Sequence, residues 1–251
     1  MTLKQPDQNA IAHGRISDEP LRDKPSIPTW VLKLVMAVTG LLFALFVVGH
    51  MAGNLKLYAP ATEDGEALDV YGRFLRSAGD PLLPENVFLW LVRIVLLAAL
   101  IAHVASTLMM YHRSAQSRGK FKRSNLMGGM DSFATRTMGL TGLVLLFFII
   151  FHLLDLTMGV QPAAPDTFIE GAVRHNMIAT FSRWPVTIFY VLAMLCLFLH
   201  LSHGIKLAAS DLGITGKKWR QVFVVLAWLI PLIVVIGNIV MPLSIATGLV
   251  S

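Results

Sequence analysis

A single cysteine, Cys196, stands in the 251 residues of this chain. One thiol excludes an intrachain disulfide framework, a CxxC metal site and covalent c-type haem attachment within the chain. Charge is scarce as well. Charged residues make up 14% of the sequence, against about 25% in a typical soluble domain. Hydrophobic residues reach 55% and the mean hydropathy is +0.65, which puts the chain in a membrane class. Residues 1–28 lack the apolar stretch of a signal peptide. They are polar and hold Pro6, Pro20, Pro25 and Pro28, so they read as a soluble N-terminal extension. A formal charge of +6 would suit nucleic acid, but the cations cluster between apolar runs, where topology explains them better.

What is abundant is long apolar sequence. A bilayer span needs about 20 mostly apolar residues, and five stretches qualify, at roughly 30–53, 86–111, 135–159, 184–209 and 221–248. The expected fold class is an all-α membrane protein, with residues 29–251 forming one bundle of five transmembrane helices. Between the second and third spans lie Arg113, Arg118, Lys120, Lys122 and Arg123, with no acid before Asp131. Between the fourth and fifth lie Lys217, Lys218 and Arg220. The first connection is instead acidic: Glu63, Asp64, Glu66, Asp69, Asp80 and Glu85 outnumber Lys56, Arg73 and Arg76. The positive-inside rule then places the N-terminus and both basic loops in the cytoplasm and the C-terminus outside. The expected location is a cell inner (cytoplasmic) membrane.

Four of these apolar runs each carry a histidine: His50, His103, His152 and His200. An ionisable group inside a span is costly and marks a cofactor, an ion path or a buried hydrogen bond. Orientation sorts them by depth. His50 comes about 20 residues along an outward-running helix, roughly 30 Å at the helical rise, and so lies near the outer face. His103 comes late in an inward-running helix. By the same logic His152 falls in the outer half and His200 in the inner half. An outer pair, His50 with His152, and an inner pair, His103 with His200, result. A short repeat accompanies the outer pair: Thr39-Gly40-Leu41 precedes His50 at the same offsets as Thr141-Gly142-Leu143 precedes His152. It implies equivalent positions of the first and third helices around one cofactor, or ordinary small-residue packing.

Paired imidazoles make a six-coordinate, low-spin haem iron suited to electron transfer, with no vacant position for oxygen chemistry. Two haem b groups stacked between the membrane faces would form an electron path. The competing reading is four histidines bonded to helix carbonyls or serving a proton route. His203 competes with His200 for the inner ligand position. His112 and His175 lie at or beyond span ends and His13 in the extension, so all three read as solvated.

The stretch His200-Leu-Ser-His-Gly204-Ile205, continuing to Asp211-Leu212-Gly213, resembles the haem-ligand helix of succinate dehydrogenase and fumarate reductase membrane subunits. His50-Met-Ala-Gly53-Asn54-Leu55 resembles the first-helix motif of the single-chain, two-haem cytochrome b type of that family. Thr141-Gly142 with His152 and Asp155-Leu-Thr resembles its third-helix motif, and Ala102-His103-Val104 with Arg113 fits the second. The resemblance covers about residues 30–213 and implies a membrane anchor rather than a stand-alone enzyme. A flavoprotein subunit would handle succinate or fumarate. An iron–sulfur subunit, which the lone cysteine places on another chain, would pass electrons to two haems and on to quinone, typically menaquinone. The resemblance makes His200 the ligand in preference to His203.

Charged groups in the spans fit this picture. Arg93 is about 12 Å into the second helix by the helical rise, and an arginine fork suits a haem propionate. Snorkelling or pairing with Asp155 is its alternative. Arg136, His203 and Lys206 are similar candidates at the inner level, while Lys33 and Arg113 snorkel to the interface. For quinone the residues say less. Mitochondrial-type relatives carry an arginine just before a Ser-Gly pair in the first helix, where this chain has Ala37-Val38-Thr39-Gly40. Glu63, Glu66 and Asp69 are acids of the loop where quinol protons would be taken up, or simply solvated. Trp219, Lys217 and Lys218 line a proximal site or anchor the interface. Two rival functions have their own signatures. A b561-like dihaem cytochrome would need no flavoprotein. A proton-coupled transporter with a histidine relay would show paired broken helices, whereas only Pro231 and Pro242 in the fifth span hint at a kink.

Overall fold

The computed structural model describes residues 26–118 and 130–251. The extension as far as residue 25, with His13, and the loop cations Lys120, Lys122 and Arg123 lie outside the described residues. The chain is all-helical. Among the described residues five helices are long and apolar enough to cross a membrane: α1 (Thr29–Asn54), α3 (Val87–Arg118), α4 (Met130–His152), α6 (Trp184–Asp211) and α7 (Lys217–Ala246). Two short helices, α2 (Ala67–Ser77) and α5 (Val173–Phe181), lie in the connections after α1 and after α4. Two helices run past the hydropathy limits: α3 continues to Arg118 and α7 begins at Lys217.

The termini follow local chemistry. Helix α6 has Pro185 in its first turn, where the missing N–H costs nothing. It ends at Gly213, whose φ of +80° sets the left-handed stop; Ile214 N–H donates to the Ala209 carbonyl at 3.0 Å, as in a Schellman turn. The Asp211-Leu212-Gly213 stretch is thus a helix stop. Pro231 and Pro242 are both buried inside α7, which is assigned as helical without interruption. Helix α4 is different. After His152 it passes into a π-helical turn, Leu153–Thr157, and such turns are frequent at functional sites.

Packing partners define the bundle. Helix α1 packs on α3 and α6, α6 packs on α4, and α7 lies against α6 and α1. Helices α3 and α4 do not pack closely on one another. The four histidine-bearing helices therefore run in the order α3, α1, α6, α4 around a square that is open between α3 and α4. Small residues are among the most buried, with Ala193 and Ala227 fully buried, as is common where membrane helices pack.

The end of the bundle that carries the C-terminus of α1 is roofed. Leu57, Leu68, Met177, Phe181, Tyr190, Met241 and Ile245 form one core cluster there, joining α2 and α5 to the spans. Glu66 pairs with Arg174 at 3.3 Å and Asp69 accepts the Arg174 backbone N–H at 2.9 Å. Both acids are tied to α5, Glu66 from an exposed position; Glu63 is exposed as well. Gly53 is fixed by this roof, since a Cβ there would stand 2.5 Å from Tyr71 Cε1. Gly53→Ala should displace the Tyr71 ring and loosen α2, a loss of about 1–3 kcal/mol by overpacking. Thermal melting of the purified protein checks it, and an unchanged midpoint would remove this role for Gly53.

Candidate functional site

The two histidine pairs meet across the diagonals of the square. His50 on α1 and His152 on α4 have ring centres 5.8 Å apart, with planes at 89°. His103 on α3 and His200 on α6 have ring centres 6.4 Å apart. Two imidazoles on one metal, with bonds of about 2 Å, hold their ring centres about 6 Å apart. Both pairs fit that separation. We keep "outer" and "inner" as labels for these two levels.

Each inner histidine leans on the Thr-Gly pair of its neighbouring helix. Thr39 Oγ1 lies 2.9 Å from His103 Nδ1 and donates its own proton to the Val35 carbonyl at 2.6 Å. Its oxygen can then only accept, so Nδ1 of His103 is the donor. Thr141 repeats this, donating to the Met138 carbonyl at 3.1 Å and standing 3.3 Å from His200 Nδ1. A Cβ on Gly40 would lie 3.5 Å from His103 Cε1, and one on Gly142 would lie 3.3 Å from His200 Cε1. The glycines let the rings lie against the adjacent helix. The repeat therefore belongs to the inner level and not, as its distance from His50 and His152 suggested, to the outer pair. Eleven residues carry the chain about 16 Å along a helix, which is one whole level.

The repeat also runs further than Thr-Gly-Leu. Phe46, four residues before His50, stacks on its ring at 5.3 Å. Phe148, four before His152, stacks on that ring at 5.7 Å. Helix pair α1–α3 thus matches pair α4–α6 in direction and in contacts.

One feature breaks the match. Asp155, in the π turn three residues after His152, is 0% exposed. Its Oδ1 accepts from Thr180 Oγ1 at 2.9 Å and from Arg183 Nη2 at 2.8 Å; its Oδ2 accepts from Tyr190 Oη at 3.0 Å. Three donors satisfy a buried carboxylate that would otherwise be costly. Tyr190 Oη is also 3.3 Å from His152 Nδ1. With its proton committed to Asp155, the phenol oxygen accepts from Nδ1. For His103, His152 and His200 alike, Nδ1 carries the proton and Nε2 keeps the lone pair that a metal takes.

The remaining expected residues are dispersed. Arg93 is exposed and sits over the Trp90 ring at 5.0 Å. It does not meet Asp155, whose cation is Arg183, because the π turn directs the carboxylate towards α5 and α6. Lys206 lies over the Trp228 ring at 4.4 Å. Arg136 is exposed on α4, and His203 is half-buried on α6. Lys33 bonds Asp211 at 3.1 Å and Arg113 donates to the Ile27 carbonyl at 2.7 Å. His112 contacts Gln116 and His175 bonds the Thr167 carbonyl, both at exposed positions. Trp219 lines an open groove of about 420 Å³ with Gly213, Ile214, Thr215, Gly216 and Phe223; Lys218 lies at a second surface groove. Thr180, Arg183 and Tyr190 were not anticipated from sequence. A tyrosine hydroxyl in an apolar helix, which needs a partner when buried, was the available signal.

Among the described residues no three His, Cys, Asp or Glu side chains form a metal-binding group. Each level offers two imidazoles, which suits a metal whose other ligands belong to a macrocycle. No significant match was found among curated proteins or among solved structures. Residues 116–237, just under half of the chain and including His152 and His200, match the family model of the Succinate dehydrogenase/Fumarate reductase transmembrane subunit, which supports a multi-pass membrane subunit of such a complex.

Proposed function

We propose that this chain is the two-haem cytochrome b anchor of a succinate:quinone oxidoreductase. It passes electrons between an iron–sulfur subunit and quinone, with menaquinone the expected partner. The observation that carries this reading is the hydrogen-bond direction at the paired histidines. Thr39, Thr141 and Tyr190 each accept from Nδ1, so three of the four rings keep Nε2 as the nitrogen with a free lone pair. Packing histidines or a proton relay have no need of a shared tautomer.

His103 and His200 would hold the inner haem, and His50 and His152 the outer one. Bound there, haem would supply a one-electron carrier. The chain's own part is to fix ring orientation through Thr39, Thr141 and Tyr190 and to keep water from the axis with Phe46 and Phe148. About 16 Å of α1 separates the two levels, by the helical rise. Arg93 at the outer level, and Arg136, His203 and Lys206 at the inner one, are the candidates for the propionates. The cytoplasmic placement of the inner level, next to the iron–sulfur and flavoprotein subunits, rests on the basic connections.

A redox titration of the complex purified through this chain tests the reading. Two b-type components with separate midpoints are expected. One component, or none, overturns it.

A further inference from the structure

The two halves of the histidine repeat agree in the Thr-Gly pair, the stacked phenylalanine and the diagonal histidine. They differ at the position three residues after the outer histidine: Gly53 in α1 and Asp155 in the π turn after α4. Gly53 makes room for Tyr71. Asp155 brings a buried carboxylate to within one hydrogen bond of Tyr190, and Tyr190 to within one of His152. Only one of the four histidines has such a chain behind it.

The geometry has a direction. Arg183 donates to Asp155 and to the Ala163 carbonyl, and Thr180 donates to the same carboxylate oxygen. These hold Asp155 with Oδ2 turned to Tyr190. The phenol is polarised by the anion, so its oxygen is a better acceptor for the Nδ1–H of His152. Pulling on that proton makes Nε2 a stronger electron donor, which favours the oxidised, more positive metal.

We propose that Asp155 and Tyr190 are positioning residues for His152 that lower the potential of the outer haem and leave the inner one unaffected. This rests on the dihaem reading above. The bland alternative is a purely structural tie between the π turn, α5 and α6. Such a tie would change stability without moving a potential.

The test is a potentiometric titration of the intact complex carrying Tyr190→Phe, with Asp155→Asn as the second variant. Tyr190→Phe removes the acceptor for Nδ1; Asp155→Asn keeps the shape and the phenol but removes the anion. In both, the outer component's midpoint should rise by roughly tenfold in its redox equilibrium constant, about 59 mV for one electron. The inner component should not move. If wild type has fewer than two components, the dihaem reading fails and takes this inference with it. If wild type has two, and the substitutions move neither midpoint or move both equally, the inference alone is overturned. Should Tyr190→Phe fail to assemble, Asp155→Asn decides between the same outcomes, because its side chain occupies the same volume.

Discussion

On the proposed two-haem reading, replacing His200 by alanine should remove the inner haem and spare the outer one. His200 faces His103 at 6.4 Å, and no other described contact of His103 supplies an imidazole in that position. Without it the inner level would keep one imidazole, and if two haems are bound, roughly half of the haem and iron should be lost. The outer site lies about 16 Å away along the helices and draws its ligands from α1 and α4, neither of which carries His200. His103→Ala should have the same effect from the opposite diagonal. His203→Ala tests the competing ligand: the Thr141 contact and the pairing with His103 both belong to His200, so the iron content should hold whatever His203 contributes to a propionate. Haem extraction and iron analysis against protein, together with the reduced-minus-oxidised spectrum, measure the result. Loss of both haems from a folded protein, or retention of both, would show the diagonal pairing to be wrong.

The pairing was readable in sequence because it needs only two quantities, helix direction and distance along the helix. The basic connections give the first and the helical rise gives the second. What sequence spacing does not convey is which neighbour a side chain meets across an antiparallel contact. Thr39 and Thr141 share a helix with His50 and His152, so proximity along the chain assigned them to the outer level. In space they serve His103 and His200, one level away. Asp155 had the same fate. It was one alternative partner for Arg93, but the π turn shifts the register of the helix and the carboxylate meets Arg183, beyond a loop. Helix α2 carried a plainer signal. Leu68, Tyr71 and Leu75 recur at helical spacing, with Asp69 and Arg73 between them and Arg76 after, an amphipathic pattern that counting loop charges passes over.

Arg183→Met should be among the most destabilising single changes in the described part of the chain. Asp155 is 0% exposed and Arg183 is its sole ion-pair partner among the described residues. Removing one member of a buried pair leaves the other charge uncompensated, which costs about 3–5 kcal/mol. The Arg183 side chain is 29% exposed, so water can partly replace it, and the lower end of that range, about 3 kcal/mol, is expected. Thermal or denaturant unfolding of the complex in detergent measures the loss. The double variant Arg183→Met with Asp155→Asn should recover most of it, since no unpaired charge remains and Thr180 and Tyr190 can still bond the amide. A double-mutant cycle then isolates the pair from the packing around it. The same double variant separates the two roles of Asp155. If the carboxylate both ties the roof to the bundle and tunes His152, stability returns while the outer midpoint is raised as in Asp155→Asn alone. If the midpoint returns to the wild-type value along with the stability, the carboxylate acts only as a tie between helices.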